Sequence, residues 1–218
     1  MPGGTVGRVT GLDALRTSYD RVADAYVGMR AGDLGRHPWL RAALGAFAEE
    51  VRDLGPVLDV GCGPGQVSAH LAGLGVDVSG VDLSPRMVEH ARRAHPQLRF
   101  EVASATDLRP AEASLGGVLA WWSLFHLPRA DVPAVVGTLA RALVPGGQLV
   151  WGTHVGDGET HRTDAYGVDG VSWTTVRWQP ENMAAVLTGA GLEPVVELRF
   201  PPLWGGSPQA LLVARRPA

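Results

Sequence analysis

The run Val57-Leu58-Asp59-Val60-Gly61-Cys62-Gly63-Pro64-Gly65 decides how the chain is read. Four residues of strand character end in a turn where glycine stands at every second position. Glycine there removes the Cβ that would hold a ligand off the backbone, and it permits positive φ. A short apolar strand feeding such a turn opens an α/β sheet when helices and further strands follow in alternation. In a doubly wound sheet, ligands lie at the carboxyl ends of the strands, where the strand order reverses. Gly61, Gly63 and Gly65 fall at such an end.

Working outward, the spacing predicts a helix over Gln66–Leu74, with Val67, His70, Leu71 and Leu74 on its apolar face, and a strand at Val76–Val81. The next helix opens with Ser84 as N-cap and Pro85 at its first position, and carries Met87, Val88 and Ala91 inward. Strands are expected at Leu98–Val102 and Gly117–Trp121, then a helix from about Ala130 to Leu143. The turn Pro145-Gly146-Gly147 leads into a fifth strand, Gln148–Gly152. Two helices, over 11–30 and 38–53, precede this series. After it come about 27 residues of connection, in which Val171–Trp178 alternate like a strand, and then a helix at Pro180–Gly189. Pro194–Phe200 and Ala210–Ala214 close the chain as strands.

The expected fold class is α/β: a doubly wound, mostly parallel, seven-stranded sheet with an N-terminal helical lid. One domain is expected over 1–218, with helices and lid in 1–53, a cofactor-binding half in 54–153, and a substrate-side insertion with the closing strands in 154–218.

Composition narrows the chemistry. The 218 residues are 45% hydrophobic, enough for a full core, and the net charge of −3 carries no block of one sign. That disfavours nucleic acid and anionic membrane as partners. No apolar run approaches the roughly 18 residues of a membrane span. The first twenty residues show no apolar signal-peptide core, so a cytoplasmic location is expected. A single cysteine, Cys62, excludes a disulfide framework and a multi-cysteine metal site. All 19 basic residues are arginine, which closes every mechanism needing a lysine. The carboxylates near the turn are scattered and no helical His/Glu pair appears, so no metal is expected.

The ligand of the glycine turn follows from its neighbours. Val81-Asp82-Leu83 ends the second strand and places a carboxylate 21 residues beyond Gly61, where it can accept both hydroxyls of a ribose. This much suits NAD and an adenosyl cofactor alike. A dinucleotide turn wants a further glycine where Gln66 stands, and Pro64 removes an N–H that a pyrophosphate would use. Asp59 is a poor neighbour for phosphates and a good one for a cationic amino-acid group. The spacing favours a ligand with a ribose at one end and a zwitterionic amino acid at the other.

These stretches resemble the class I S-adenosylmethionine-dependent methyltransferases of small-molecule type. "VLDVGCGPG" is similar to their glycine motif, "GVDLSPRMVEHAR" to their acidic ribose motif, and "LARALVPGGQLVW" to their helix–PGG–strand segment, in the family's order. The resemblance covers roughly residues 18 to 215 and implies a Rossmann-like methyltransferase fold. It implies S-adenosylmethionine as cofactor, with S-adenosylhomocysteine as product and no metal. Gly61, Cys62, Gly63 and Gly65 would hold the methionine portion, with Asp59 orienting its ammonium. Asp82 would bind the ribose, Leu83 and Met87 would flank the adenine, and Ala105 and Thr106 would reach its edge. Ser104 stands where many relatives carry an acid, which leaves Ser104, Asp107 or the backbone to meet the adenine amino group. Tyr19 and Tyr26 resemble the closing N-terminal helix, and Trp121 would border the cofactor.

For the acceptor, an extended Trp121-Trp122 pair puts one ring in the core and the other in the pocket. His154 and His126 are the candidate general bases. Trp122, His161, Tyr166 and Trp173 are expected to shape a pocket for a flat or hydrophobic small molecule. The Asn/Asp-Pro-Pro-Tyr run of enzymes that methylate DNA bases and glutamine side chains is replaced here by Ala120-Trp121-Trp122-Ser123. A monomer or homodimer is expected. The rival readings are a protein that binds the adenosyl cofactor without transferring methyl, and an NAD-dependent oxidoreductase.

Overall fold

The computed structural model describes residues 6–30, 32–204 and 206–218. The reading of a leader-free start rests partly on residues 1–5, which lie outside the described residues. The elements run α1 (Val6–Arg30), α2 (Asp33–Arg36), α3 (Pro38–Val51), β1 (Val57–Val60), α4 (Gln66–Gly73), β2 (Val78–Asp82), α5 (Pro85–Ala94) and β3 (Arg99–Val102). They continue β4 (Leu115–Trp121), a 3-10 turn (Leu124–His126), α6 (Val132–Ala142), β5 (Leu143–His154), β6 (Glu159–Ala165), β7 (Val168–Val176), α7 (Pro180–Gly189), β8 (Glu193–Phe200) and β9 (Gln209–Arg215).

Seven strands form one sheet in the order β3-β2-β1-β4-β5-β9-β8. The first five pair in parallel, and β9 runs against both of its neighbours. Both faces are covered, so the central strands carry apolar residues on both sides rather than at alternate positions alone. Leu119, Val150 and Val213 face Phe47 and Val51 of α3 and Leu71 of α4. Val118, Leu149 and Leu212 face the other way, onto Val136 and Leu139 of α6 and Met183 and Leu187 of α7. From β1 the chain steps outward through β2 and β3, then returns to β4 on the opposite side of β1. The crevice left by that reversal is where the glycine turn ends.

Two regions of the sheet side differ most from the sequence reading, apart from the unexpected short helix α2 and the 3-10 turn. β5 begins at Leu143, not Gln148, and Pro145-Gly146-Gly147 lies inside it as a register shift between Leu115↔Leu143 and Gly117↔Gln148. The long connection holds a hairpin, because β6 pairs antiparallel with β7. β6 is almost wholly exposed and polar, so it carries no apolar period by which a sequence would reveal it.

α1 spans the crevice. On one side Val22 packs with Val171 and Trp173 of β7, and Ser172 N–H donates to Ser18 Oγ at 2.8 Å. On the other, Asp20 Oδ1 accepts from Ser84 Oγ at 2.6 Å and from Arg86 N–H at 3.1 Å, at the start of α5. Among the described residues no helix is long and apolar enough to cross a membrane.

Candidate functional site

The cleft lies at the carboxyl ends of β1, β2, β4 and β5, under α1. At the end of β1, Gly61 takes φ 75°, and a Cβ there would stand 2.3 Å from Ser123 Cβ. The turn can approach the segment after β4 only because that atom is missing. Gly63, at φ 53°, has open space where its Cβ would be and lines the cleft with Cys62 and Pro64. Gly65 has a different duty: its Cβ would meet the Phe100 ring at 2.7 Å, and it lies outside the lining. Cys62 is buried, which pushes its thiol well above the ordinary range and makes it a packing residue of the turn.

Two aspartates face this turn. Asp82 Oδ2 accepts from Gly63 N–H at 2.8 Å and Oδ1 from Ser84 N–H at 2.9 Å, so the carboxylate fixes the turn and keeps a second lone pair on each oxygen. Burial nevertheless raises its pKa. Asp59 is 1% exposed. Ser68 Oγ donates to its Oδ2 at 2.6 Å, while Oδ1 has no partner. Burial, with the Asp82 charge behind it, lifts the Asp59 carboxyl to about 7. An unpaired buried carboxylate oxygen beside an open glycine is a place for a cation, and the free lone pairs of Asp82 suit hydroxyl donors.

Leu83, Met87 and Ala105 line the same end, together with Ser104. Thr106 does not line the cleft; its Oγ1 lies 2.7 Å from Ser104 Oγ, so the two hydroxyls satisfy each other. Asp107 is exposed and takes a 3.3 Å bond from Thr106 Oγ1. No acid among the described residues therefore replaces the one that Ser104 lacks.

Across the cleft, α1 presents Tyr19, Tyr26 and Arg30 on one face, at intervals of seven and four residues. Tyr19 Oη is 2.6 Å from His126 Nε2, and His126 Nδ1 is 2.9 Å from the Thr174 carbonyl. The carbonyl can only accept, so Nδ1 carries the proton of the neutral ring and Tyr19 donates to Nε2. Burial lowers His126 to about 4, keeping it neutral. Tyr19 also stacks on Trp173 at 4.8 Å and 16°, which places Trp173 behind the tyrosine and out of the lining.

His154 ends β5, lines the cleft and meets the Phe125 ring edge-on at 4.9 Å. Among the described residues no side chain hydrogen-bonds its imidazole. Burial, helped by the charges of Arg177 and Arg30, lowers it to about 4, so it is a neutral, free acceptor at pH 7. His126 is committed to Tyr19 and Thr174, whereas His154 lines the cleft without such partners among the described residues.

Trp121 and Trp122 both line the cleft, against the expectation that one enters the core. The backbone is not extended there: Trp122 takes φ 51°, and its ring lies where Gly152 has no Cβ to meet it, at 2.7 Å. Tyr166, at the β6–β7 turn, lines the cleft beside Arg30. His161 is exposed on the hairpin with Nδ1 3.5 Å from Thr174 Oγ1, and it does not reach the cleft. Its strand is covered on neither face at that point. Arg30, Asp33 and Trp204 line the cleft without having been singled out in the sequence. For Arg30 the signal was present, since it continues the Tyr19–Tyr26 stripe by one turn of α1. Among the described residues, no group of three or more His, Cys, Asp or Glu side chains is placed to hold a metal ion.

Residues 57–147 match the family model described as a methyltransferase domain. An O-methyltransferase from Penicillium expansum, cnsE, is 34% identical over 160 residues, covering 64% of this chain and 57% of that protein. The ubiquinone biosynthesis O-methyltransferase of Xanthomonas oryzae pv. oryzae is 38% identical over 102 residues, covering 44% of this chain and 42% of that protein. The chain thus spans about half the length of the curated relatives it matches. Among solved structures, the CcbJ methyltransferase of Streptomyces caelestis superposes with a TM-score of 0.72 at 21% identity, over 94% of this chain and 100% of that one. The glycine turn and the aspartate closing β2 lie inside the matched segment, and residues 57–147 of the chain form a methyltransferase domain.

Proposed function

We propose that this chain transfers the methyl group of S-adenosylmethionine to an oxygen of a small-molecule acceptor. The observation that carries the reading is the pair of carboxylates at one turn: Asp59 with an unpartnered Oδ1, and Asp82 with a free lone pair on each oxygen. The first suits the ammonium of the methionine portion and the second the ribose hydroxyls. The open face of Gly63 leaves room for the methionine chain to lie between them.

When bound, S-adenosylmethionine supplies an electrophilic methyl group on a sulfonium. The residues of the chain have to align an acceptor with it, keep water away and take up one proton. Tyr19 and Tyr26 roof the cleft from α1, and Trp121 and Trp122 wall it from the end of β4. His154 takes the proton that the acceptor oxygen gives up as its bond to carbon forms. His126 holds Tyr19 in place. The names of the relatives support oxygen as the methylated atom, and a free neutral imidazole is what a hydroxyl acceptor needs.

The test is calorimetric titration with S-adenosylhomocysteine, S-adenosylmethionine and NAD. Micromolar binding of the adenosyl compounds without NAD is expected. Asp82→Ala is expected to weaken them about 10- to 100-fold, the loss of charged hydrogen bonds worth roughly 1.5–3 kcal/mol. A folded Asp82→Ala protein with unchanged affinity would remove Asp82 from the site and the reading with it.

A further inference from the structure

The end of the cleft away from the aspartate pair has a different chemistry. Arg30 closes α1 with its guanidinium 4.7 Å from the Trp204 ring centroid, 5.8 Å from Tyr166 and 6.0 Å from Tyr26. It is a cation in an aromatic box, so the box is already filled in the manner that would otherwise mark a site for a quaternary ammonium ligand. Only one of its N–H groups is engaged by a carboxylate, Nη1 to Asp33 Oδ2 at 3.0 Å. Asp33 is shared, because Arg36 takes Oδ1 at 2.5 Å. Arg30 and Arg36 therefore share the Asp33 carboxylate.

The neighbouring polar atoms are donors as well. Trp122 and Trp204 line the cleft with their rings 5.2 Å apart at 88°, and both indole Nε1–H groups are buried without a partner. An indole nitrogen can only donate. The other acids lining the cleft among the described residues, Asp59 and Asp82, belong to the glycine turn. Buried indole donors beside a guanidinium that lines the cleft ask for an anionic, oxygen-bearing group, and a guanidinium fork matches a carboxylate best. The aromatic faces around it suit a planar ring.

We propose that Arg30 is a specificity-determining residue that receives the carboxylate of a planar aromatic acid, turning a hydroxyl of the same ring toward His154. This rests on the methyltransferase reading above and deepens it. The arrangement joins recognition to chemistry, since the Arg30 charge reaches His154 and disfavours its protonation. A carboxylate bound at Arg30 cancels that charge and leaves His154 the better base.

The probes are 3,4-dihydroxybenzoate and catechol, which differ only in the carboxylate. Binding is read by quenching of tryptophan fluorescence, with and without S-adenosylhomocysteine. The wild-type protein is expected to bind the acid at least about tenfold more tightly than catechol, as for a hydrogen-bonded charged group. Arg30→Gln is expected to bring the two within about twofold and to leave S-adenosylhomocysteine affinity unchanged; Arg30→Lys restores part of the preference and serves if Arg30→Gln fails to fold. Equal affinities in the wild type, binding of neither probe, or a preference that survives Arg30→Gln overturns the proposal. So does a variant that loses S-adenosylhomocysteine but retains methylthioadenosine, for then Arg30 holds the methionine carboxylate. Wild-type protein that binds no S-adenosylhomocysteine overturns the methyltransferase reading itself, an outcome distinct from all of these.

Discussion

The hydroxyl of Tyr19 lies 2.6 Å from Nε2 of His126, joining the roof of the cleft to the segment that follows β4. The two residues are 107 apart in the chain, and both are held from behind. Tyr19 stacks on Trp173, and His126 is oriented by the Thr174 carbonyl, so one strand, β7, sets both partners.

Tyr19→Phe keeps the stacked ring and leaves Nε2 of His126 buried without a donor. The expected cost is about 1–3 kcal/mol of stability, read by denaturant unfolding. S-adenosylhomocysteine should bind more weakly because the roof is less well held. A Tyr19→Phe protein as stable and as tight-binding as the wild type would make the contact incidental.

Gly61 and Gly63 separate packing from binding. Gly61→Ala forces a Cβ to 2.3 Å from Ser123 Cβ at a positive φ, and the fold is expected to lose about 3 kcal/mol or more. Gly63→Ala meets nothing in the protein and should cost only the left-handed backbone penalty of about 1–2 kcal/mol. Its methyl group enters the cleft, so cofactor affinity should fall by far more than stability does. Thermal unfolding and calorimetry on the two variants give the comparison.

Asp59 ties cofactor affinity to pH. Burial lifts its carboxyl to about 7, and the ammonium proposed to meet it requires the anion. S-adenosylhomocysteine affinity is expected to be level above that value and to fall by up to about tenfold per pH unit below it. The sign for stability is opposite. A folded pKa raised above the ordinary carboxylate range means that the folded state holds the proton longer, so stability falls as pH rises from about 4 to about 7. The full shift is worth up to about 4 kcal/mol. Asp59→Asn keeps an oxygen for Ser68 Oγ, and it should raise unfolding stability at pH 8 while weakening the cofactor.

His154→Gln is expected to lower methyl transfer about 100-fold or more with S-adenosylhomocysteine affinity unchanged. Because burial holds the ring near 4, wild-type rates should be flat across neutral pH and decline only toward pH 4 as the ring protonates. A variant with full activity would leave proton removal to solvent.

The strand–helix alternation was legible because each central strand is covered on two faces and each helix on one. Val57–Val60 and the helices around it needed no tertiary information. β6 was not legible: its partner β7 buries Val171, Trp173 and Val176, while β6 offers only polar, exposed residues. Spacing brought Asp59 and Asp82 to one cleft, since the geometry of a strand end fixes where they point. The duties of Gly65 and Thr106 were not legible, because contact with Phe100 and with Ser104 is set by packing that the chain order does not show. The Trp121-Trp122 pair turned on a single φ of 51°.

α1 is fastened at both of its flanks, by Asp20 to the start of α5 and by Ser18 to β7. Lifting it from one flank would break or strain the contacts of the other. If the proposed methyl transfer requires α1 to open, one gate then serves two passengers: what frees the spent cofactor also uncovers the acceptor pocket, and both exchanges run on the same clock.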